Sequence, residues 1–200
     1  MRVARSGVGV MGMTLAAVAA PAGPAAAQEA PIIVEGHGGL AIPVGTFSNG
    51  TRPGEGTSAA PSFGVDFALA GGGRWTPYFG FSQHRFGCEE AGCASGGQYV
   101  ATGFRAGIRL IPFPRRSVLP WLGMGALTTH VEAGNLGAAN AGLSGLGIGG
   151  EVGLGVHIGG GSTIALAPAL RLAAVNARLP DDAFLRMRYL VADVAVVLSF

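Results

Sequence analysis

Ser82 and His84, two residues apart in Phe81-Ser82-Gln83-His84, come nearest in this chain to a nucleophile with its base. A serine attacks only when an imidazole within hydrogen-bond reach takes its proton and a carboxylate orients the ring, a part that would fall to Glu35 or Asp66. His130 and Glu132, beside Thr128 and Thr129, form a second arrangement of that kind. Cys88 and Cys93 with His84 offer three ligands for a metal, one fewer than a structural zinc site uses. The same cysteines could instead close a small loop as a disulfide, contributing roughly 2 kcal/mol by the chain-entropy estimate. Residues 145–150 (Gly-Leu-Gly-Ile-Gly-Gly) match the GxGxxG dinucleotide pattern. The largest set is ionic: Glu35, Asp66, Glu151 and Asp193 against Arg105, Arg109 and Arg171, with His37, His84 and His157 on matching positions.

What these groups can do depends on the elements that carry them. From Tyr189 to Phe200 the chain alternates: Leu190, Ala192, Val194, Val196, Leu198 and Phe200 share one face, and Tyr189, Val191, Asp193, Ala195, Val197 and Ser199 the other. Strand side chains have period two, so one face is wholly apolar and the other partly polar. The same alternation marks eight segments, near 33–44, 61–69, 75–85, 99–111, 119–131, 144–158, 163–176 and 187–200, each close to or above the ~9–11 residues of a tilted membrane strand. Short connections at 70–74, 112–118 and 159–162 alternate with longer, more polar ones at 45–60, 86–100, 132–143 and 177–186. That asymmetry predicts an up-and-down, eight-stranded antiparallel transmembrane β-barrel with periplasmic turns, outward loops and both termini on the periplasmic side.

The faces separate a membrane barrel from a soluble one, because a lipocalin-like barrel keeps its apolar face inside. In the sixth segment Leu146, Ile148, Val152, Leu154, Val156 and Ile158 oppose Gly145, Gly147, Gly149, Glu151, Gly153, Gly155 and His157. A face of glycines with one acid and one imidazole makes a poor apolar core but leaves room for large side chains across a narrow lumen. Phe104, Ala106, Ile108 and Leu110 likewise oppose Arg105 and Arg109, and Phe63, Val65, Phe67 and Leu69 oppose Asp66. Trp75, Phe113 and Phe200 fall where a periplasmic aromatic girdle sits. Pro77 and Pro120 lie near strand ends, whereas Pro168, in mid-strand, removes a ladder donor.

On such strands the chemistry-bearing groups take plain roles. The glycines of 145–150 keep period two where a dinucleotide site needs a helix to open, so the GxGxxG match is rejected. Ser82 and His84 face the lumen, and packing there accounts better for them and for His130 with Glu132 than catalysis does. The Cys88–Cys93 disulfide, stapling the second outward loop, is preferred to a metal site. The ionic set, facing inward, must be paired or hydrated, because an isolated buried ion costs several kcal/mol. An ion-pair network plugging the lumen is the expectation, and a charged, ion-conducting constriction the alternative. The sequence names no catalytic residue, cofactor or metal.

Composition agrees. Of 200 residues, 36 are glycine and only 12% are charged, while 49% are hydrophobic, so the chain is neither disordered nor a nucleic-acid binder. Every basic side chain is Arg. Arg2 and Arg5 precede an apolar run at 8–20, and Ala25-Ala26-Ala27 supplies a small-residue cleavage site. Residues 1–27 therefore read as a secretory signal peptide cut before Gln28, with 28–200 as one barrel domain. A membrane anchor would need a longer run and would not be followed by Pro21 and Pro24. An exported chain also meets conditions in which Cys88 and Cys93 can oxidise.

The stretch Gly36-His37-Gly38-Gly39-Leu40-Ala41-Ile42-Pro43-Val44-Gly45, the Pro77-Tyr78 and Pro120-Trp121 strand openings and the terminal Phe200 resemble small Gram-negative outer-membrane β-barrel proteins, the group with OmpA-like and OmpX-like barrels. The resemblance spans nearly all of 28–200. It implies location in the outer membrane, contact with outer-membrane lipid, and a non-enzymatic structural or surface-interaction role with a partner met through the loops. A narrow porin-like pore is the alternative, and a lipid-modifying barrel enzyme stands third. Val196, Leu198 and Phe200 are similar to the terminal signal that the barrel-assembly machinery reads in this group.

Overall fold

The computed structural model describes residues 32–44, 47, 57–70, 73–88, 97–113, 117–134, 144–159, 163–178 and 184–200. Residues 1–27, Cys93 and the side chain of Cys88 lie outside that set, and with them the signal peptide and the disulfide. Eight strands follow in order: β1 (Ile32–Pro43), β2 (Thr57–Leu69), β3 (Trp75–Cys88), β4 (Gln98–Leu110), β5 (Val118–Gly134), β6 (Ser144–Ile158), β7 (Ile164–Arg178) and β8 (Phe184–Ser199). Each pairs antiparallel with the next, and β8 returns to β1 from Ile33↔Ser199 to Pro43↔Tyr189, closing an eight-stranded barrel. Closure gives every strand two partners, the condition for unbonded backbone to vanish from a wall that faces hydrocarbon.

Several strands run further toward the loop end than alternation predicts: β2 begins at Thr57, β3 reaches Cys88, β5 reaches Gly134 and β8 begins at Phe184. The apolar outward signal fades there into Arg85, Gln98, Glu132 and Arg186, while ladder hydrogen bonds continue regardless of what faces outward. β2 also takes up one extra residue between Ala59 and Ser62, around Pro61, which cannot donate to a ladder. Pro168 acts on β6: pairing stops after Gly155↔Ala169 and resumes in unshifted register at Ile158↔Leu166. At the β6–β7 turn Gly159 takes φ 95°, a left-handed conformation that glycine adopts without penalty.

The wall is apolar outside. Phe67, Phe79, Phe104, Leu122, Leu154, Val152 and Val194 are each more than half exposed, and Phe79 stacks on Phe104 with ring centroids 5.7 Å apart. Trp75, Phe113 and Phe200 are exposed at the end where the chain's described termini meet, and Phe200 N–H donates to the Ile32 carbonyl. From Leu190 to Phe200 the outward face of β8 is unbroken by charge. At ~3.3 Å per residue on a tilted strand this spans about the 25 Å of a membrane barrel's apolar band.

The lumen is filled in layers. At the loop end Phe47, Phe86, Tyr99, Leu127, Val131, Val175, Leu185, Met187, Tyr189 and Val191 form an apolar cluster. At the terminal end Ala165, Ala167, Ala195 and Val197 pack with Ile33. Between the two lie the buried charges.

Candidate functional site

Inward parity delivers charge to this middle layer from six strands. Glu35 and His37 come from β1, Asp66 from β2, Arg105 and Arg109 from β4, Glu151 and His157 from β6, Arg171 from β7 and Asp193 from β8, and all are less than 9% exposed. Asp66 is the hub. Its carboxylate accepts Nε and Nη2 of Arg105 at 2.8 and 2.7 Å and Nη2 of Arg109 at 2.8 Å, and Nη1 of Arg171 lies 3.8 Å away. Arg109 also donates to Glu35 across the lumen, and Arg171 to Asp193 on the neighbouring strand. Glu151 takes a hydrogen bond from Tyr78 Oη at 2.7 Å and sits 3.7 Å from Arg105. The seven side chains that the sequence nominates therefore form one connected set, with charge-assisted bonds at most of its links.

The histidines are joined to it. Arg105 Nη2 lies 2.6 Å from His37 Nε2. A guanidinium has only donors, so Nε2 accepts and the ring hydrogen belongs on Nδ1, which lies 3.5 Å from Asp193. His157 Nε2 is 3.5 Å from Glu35. The Arg109 guanidinium lies over the rings of Tyr78 and Trp121, 4.7 and 4.8 Å from their centroids, so a cation that already has two carboxylates is also faced by two π-systems.

Glycine makes the space. A Cβ at Gly80, the cross-strand partner of Asp66, would fall on the Asp66 carboxylate. At Gly64 it would meet the His37 ring at 2.5 Å, at Gly125 the Tyr78 hydroxyl at 2.6 Å, and at Gly153 the Arg171 stem at 2.7 Å. The small inward residues that would ruin an apolar core are what lets bulky ions meet across so narrow a barrel.

The other groups are placed apart from one another. Ser82 and His84 are both buried, but His84 Nδ1 is engaged at 2.7 Å by Ser62, its neighbour across the β2–β3 ladder, and its ring lies 5.1 Å from that of Tyr189. Among the described residues no carboxylate lies within ion-pair distance of His84, so the nucleophile arrangement lacks its orienting acid. His130 and Glu132 pair at 3.5 Å on the outer face, both side chains more than half exposed. Residues 145–150 run through β6 as extended strand.

Sequence reasoning passed over Tyr78, Trp121 and Ser62. Their parity would have found them: Tyr78 shares its face with Ser82 and His84, Trp121 with the inward glycines of β5, and Ser62 with Asp66. A network of guanidinium, carboxylate, phenol and imidazole groups with this burial can neutralise charge and tie distant strands together. The arrangement offers no activated nucleophile among the described residues.

The sequence matches no protein-family profile and no curated protein. In three dimensions the chain is similar to Neisserial surface protein A, at 13% identity and a TM-score of 0.56, over 86% of this chain and all of that one. It is similar also to the outer membrane protein AlkL as determined in lipid bilayers, at 11% identity and a TM-score of 0.57, over 92% of this chain and 97% of that one. At such identities the likeness speaks for architecture. The chain has the fold of the small eight-stranded outer-membrane β-barrels.

Proposed function

We propose that this protein resides in the outer membrane as a non-enzymatic barrel with an envelope structural or surface-interaction role, its lumen closed by the ion-pair network. The observation that carries the reading is the opposition of the two faces: an uncharged apolar band outside and a fully buried charge set inside, held between two apolar clusters. A conducting pore keeps its charges wet, and here Asp66, Arg105 and Arg109 are all at most 2% exposed. The similarity to a surface protein and to a barrel studied in bilayers supports the location. The outward connections, which lie largely outside the described residues, are the part that would meet a partner.

The test is planar-bilayer recording on refolded protein whose gel mobility shifts on heating. Silence is expected from folded protein. Reproducible conductance steps that change with Arg105→Gln or Glu151→Gln would replace this reading with that of a narrow pore.

A further inference from the structure

Near its loop end the outer wall carries charges that the closed lumen does not use, among them Arg85, Glu132, Arg178, Arg186 and Arg188. On β8, Phe184, Arg186 and Arg188 point outward and exposed, in alternation with the buried Leu185, Met187 and Tyr189. Arg186 stands opposite Asn176 of β7 in the ladder, and these residues line a concavity of about 450 Å³. Neither Arg186 nor Arg188 has an acidic partner among the described residues, in contrast to His130 on β5, which has Glu132. Two guanidiniums without an acidic partner among the described residues, about 7 Å apart on one strand face and beside an amide, form a fork for an anion with several acceptor oxygens.

Their height names the anion. Arg188 is the first outward residue beyond Leu190, where the apolar band of β8 ends, and it lies toward the outward loops. A second feature continues the site into the membrane. Below Arg188 begins an apolar depression of about 950 Å³ that is lined there by Gly38, Leu40, Leu170 and Ala192 and runs obliquely across β6 and β5 to Phe113 at the terminal end. A Cβ at Gly38 would meet nothing within 4 Å, and this glycine and Ala192, whose ladder partners are Leu40 and Leu170, leave the wall low there. Ala192 is two outward positions below Arg188 on β8, past Leu190, so a headgroup anion at Arg186 and Arg188 would have its acyl chains over the near end of this depression.

We propose that the β7–β8 wall is a binding site for one phosphorylated glycolipid of the outer leaflet, with Arg186, Arg188 and Asn176 holding a phosphate and the depression around Gly38 and Ala192 holding acyl chain. The proposal rests on the outer-membrane reading, because it needs lipid against this wall and the loop end facing out. It gives the barrel a fixed lipid partner and a preferred azimuth in the membrane. Lipid phosphate is chosen over an acidic protein segment because the fork lies at the edge of the apolar band, on the same strand as the near end of the groove.

The test is native mass spectrometry of the refolded protein released from phosphatidylcholine vesicles doped with phosphorylated lipid A, with dephosphorylated lipid A, or with phosphatidylglycerol. One phosphorylated lipid A is expected to remain bound. The Arg186→Gln/Arg188→Gln variant, still heat-modifiable on gels, should lose about tenfold or more of that retention, and Arg85→Gln on the far outer face should lose none. Ala192→Trp, which fills the groove and leaves the fork, should also weaken retention. Equal retention by the double arginine variant, equal retention of the dephosphorylated lipid, or equal retention of phosphatidylglycerol would each overturn the proposal. A wild-type protein that fails to enter vesicles at all would overturn the membrane reading instead, and this site with it.

Discussion

The middle and the loop-end layers of the lumen fill the same narrow space with opposite chemistry. Around Asp66 the contents are ions, and around Met187 they are hydrocarbon, yet each hub is wholly excluded from solvent. The ionic layer acts by direction. Arg109 of β4 reaches Glu35 of β1, Arg105 reaches Asp66 of β2, and Tyr78 of β3 reaches Glu151 of β6, so the links cross the barrel and are satisfied at one register. The apolar layer acts by volume: Phe47 meets Phe86 edge-on at 4.9 Å and Phe86 meets Tyr189 at 5.1 Å, contacts that other shapes of similar size could replace. The contrast teaches where the barrel is specified and where it is merely filled.

The largest effect that would test this contrast is at the hub. Asp66→Asn leaves Arg105 and Arg109 without one of their carboxylates and Arg171 with Asp193 alone, and breaking a buried pair costs ~3–5 kcal/mol. Urea titration of the heat-modifiable band in micelles should show that loss, and Asp66→Glu should not restore it, since the space beside the carboxylate is set by the missing Cβ of Gly80. Met187→Ala should cost somewhat less, ~2–5 kcal/mol, with Met187→Leu recovering all but ~1.5 kcal/mol of it. If the glutamate rescues the ionic hub as well as leucine rescues the apolar one, direction is not what distinguishes the layers.

The two layers were also unequally legible in the sequence. Arg105 and Arg109 stand out because each interrupts an apolar strand at inward parity, and the same holds for Asp66 and Glu151, so the ionic layer was open to period-two reasoning alone. Which carboxylate meets which guanidinium was not, because that depends on how far the strands are staggered around the closed barrel. Phe86 and Leu185 of the upper layer fall in segments where the outward residues are already polar, and alternation there reads as loop. Phe47 lies outside any strand and joins the cluster only through tertiary closure. Cys93 and the signal peptide lie outside the described residues, and their reading rests on the sequence.

A smaller effect separates a charge link from a neutral one within the ionic layer. Tyr78→Phe keeps the ring over Arg109 and removes only the hydroxyl, so Glu151 loses the donor at 2.7 Å and retains Arg105 at 3.7 Å. The cost expected for a buried acceptor left short of its donor is ~1–3 kcal/mol, below that of Asp66→Asn by the same urea titration. A cost equal to the hub's would mean that the phenol, and not the guanidinium, sets the position of Glu151.

The smallest effect belongs to the histidine–carboxylate contact that the described residues make on the outer face. His130 and Glu132 lie 3.5 Å apart, the same separation as His157 and Glu35 inside, but with both side chains more than half exposed. At that exposure water and salt screen the attraction, and holding two side chains in one geometry offsets most of what is left, so Glu132→Gln should cost ~0–1 kcal/mol. Raising the salt concentration should shrink even that, while leaving the Asp66→Asn difference unchanged, because no counter-ion reaches a carboxylate enclosed by three arginines. A salt-insensitive loss at Glu132 matching that of Tyr78→Phe would show that burial is not what ranks these contacts, and the division of the barrel into a specifying interior and a solvated rim would fail with it.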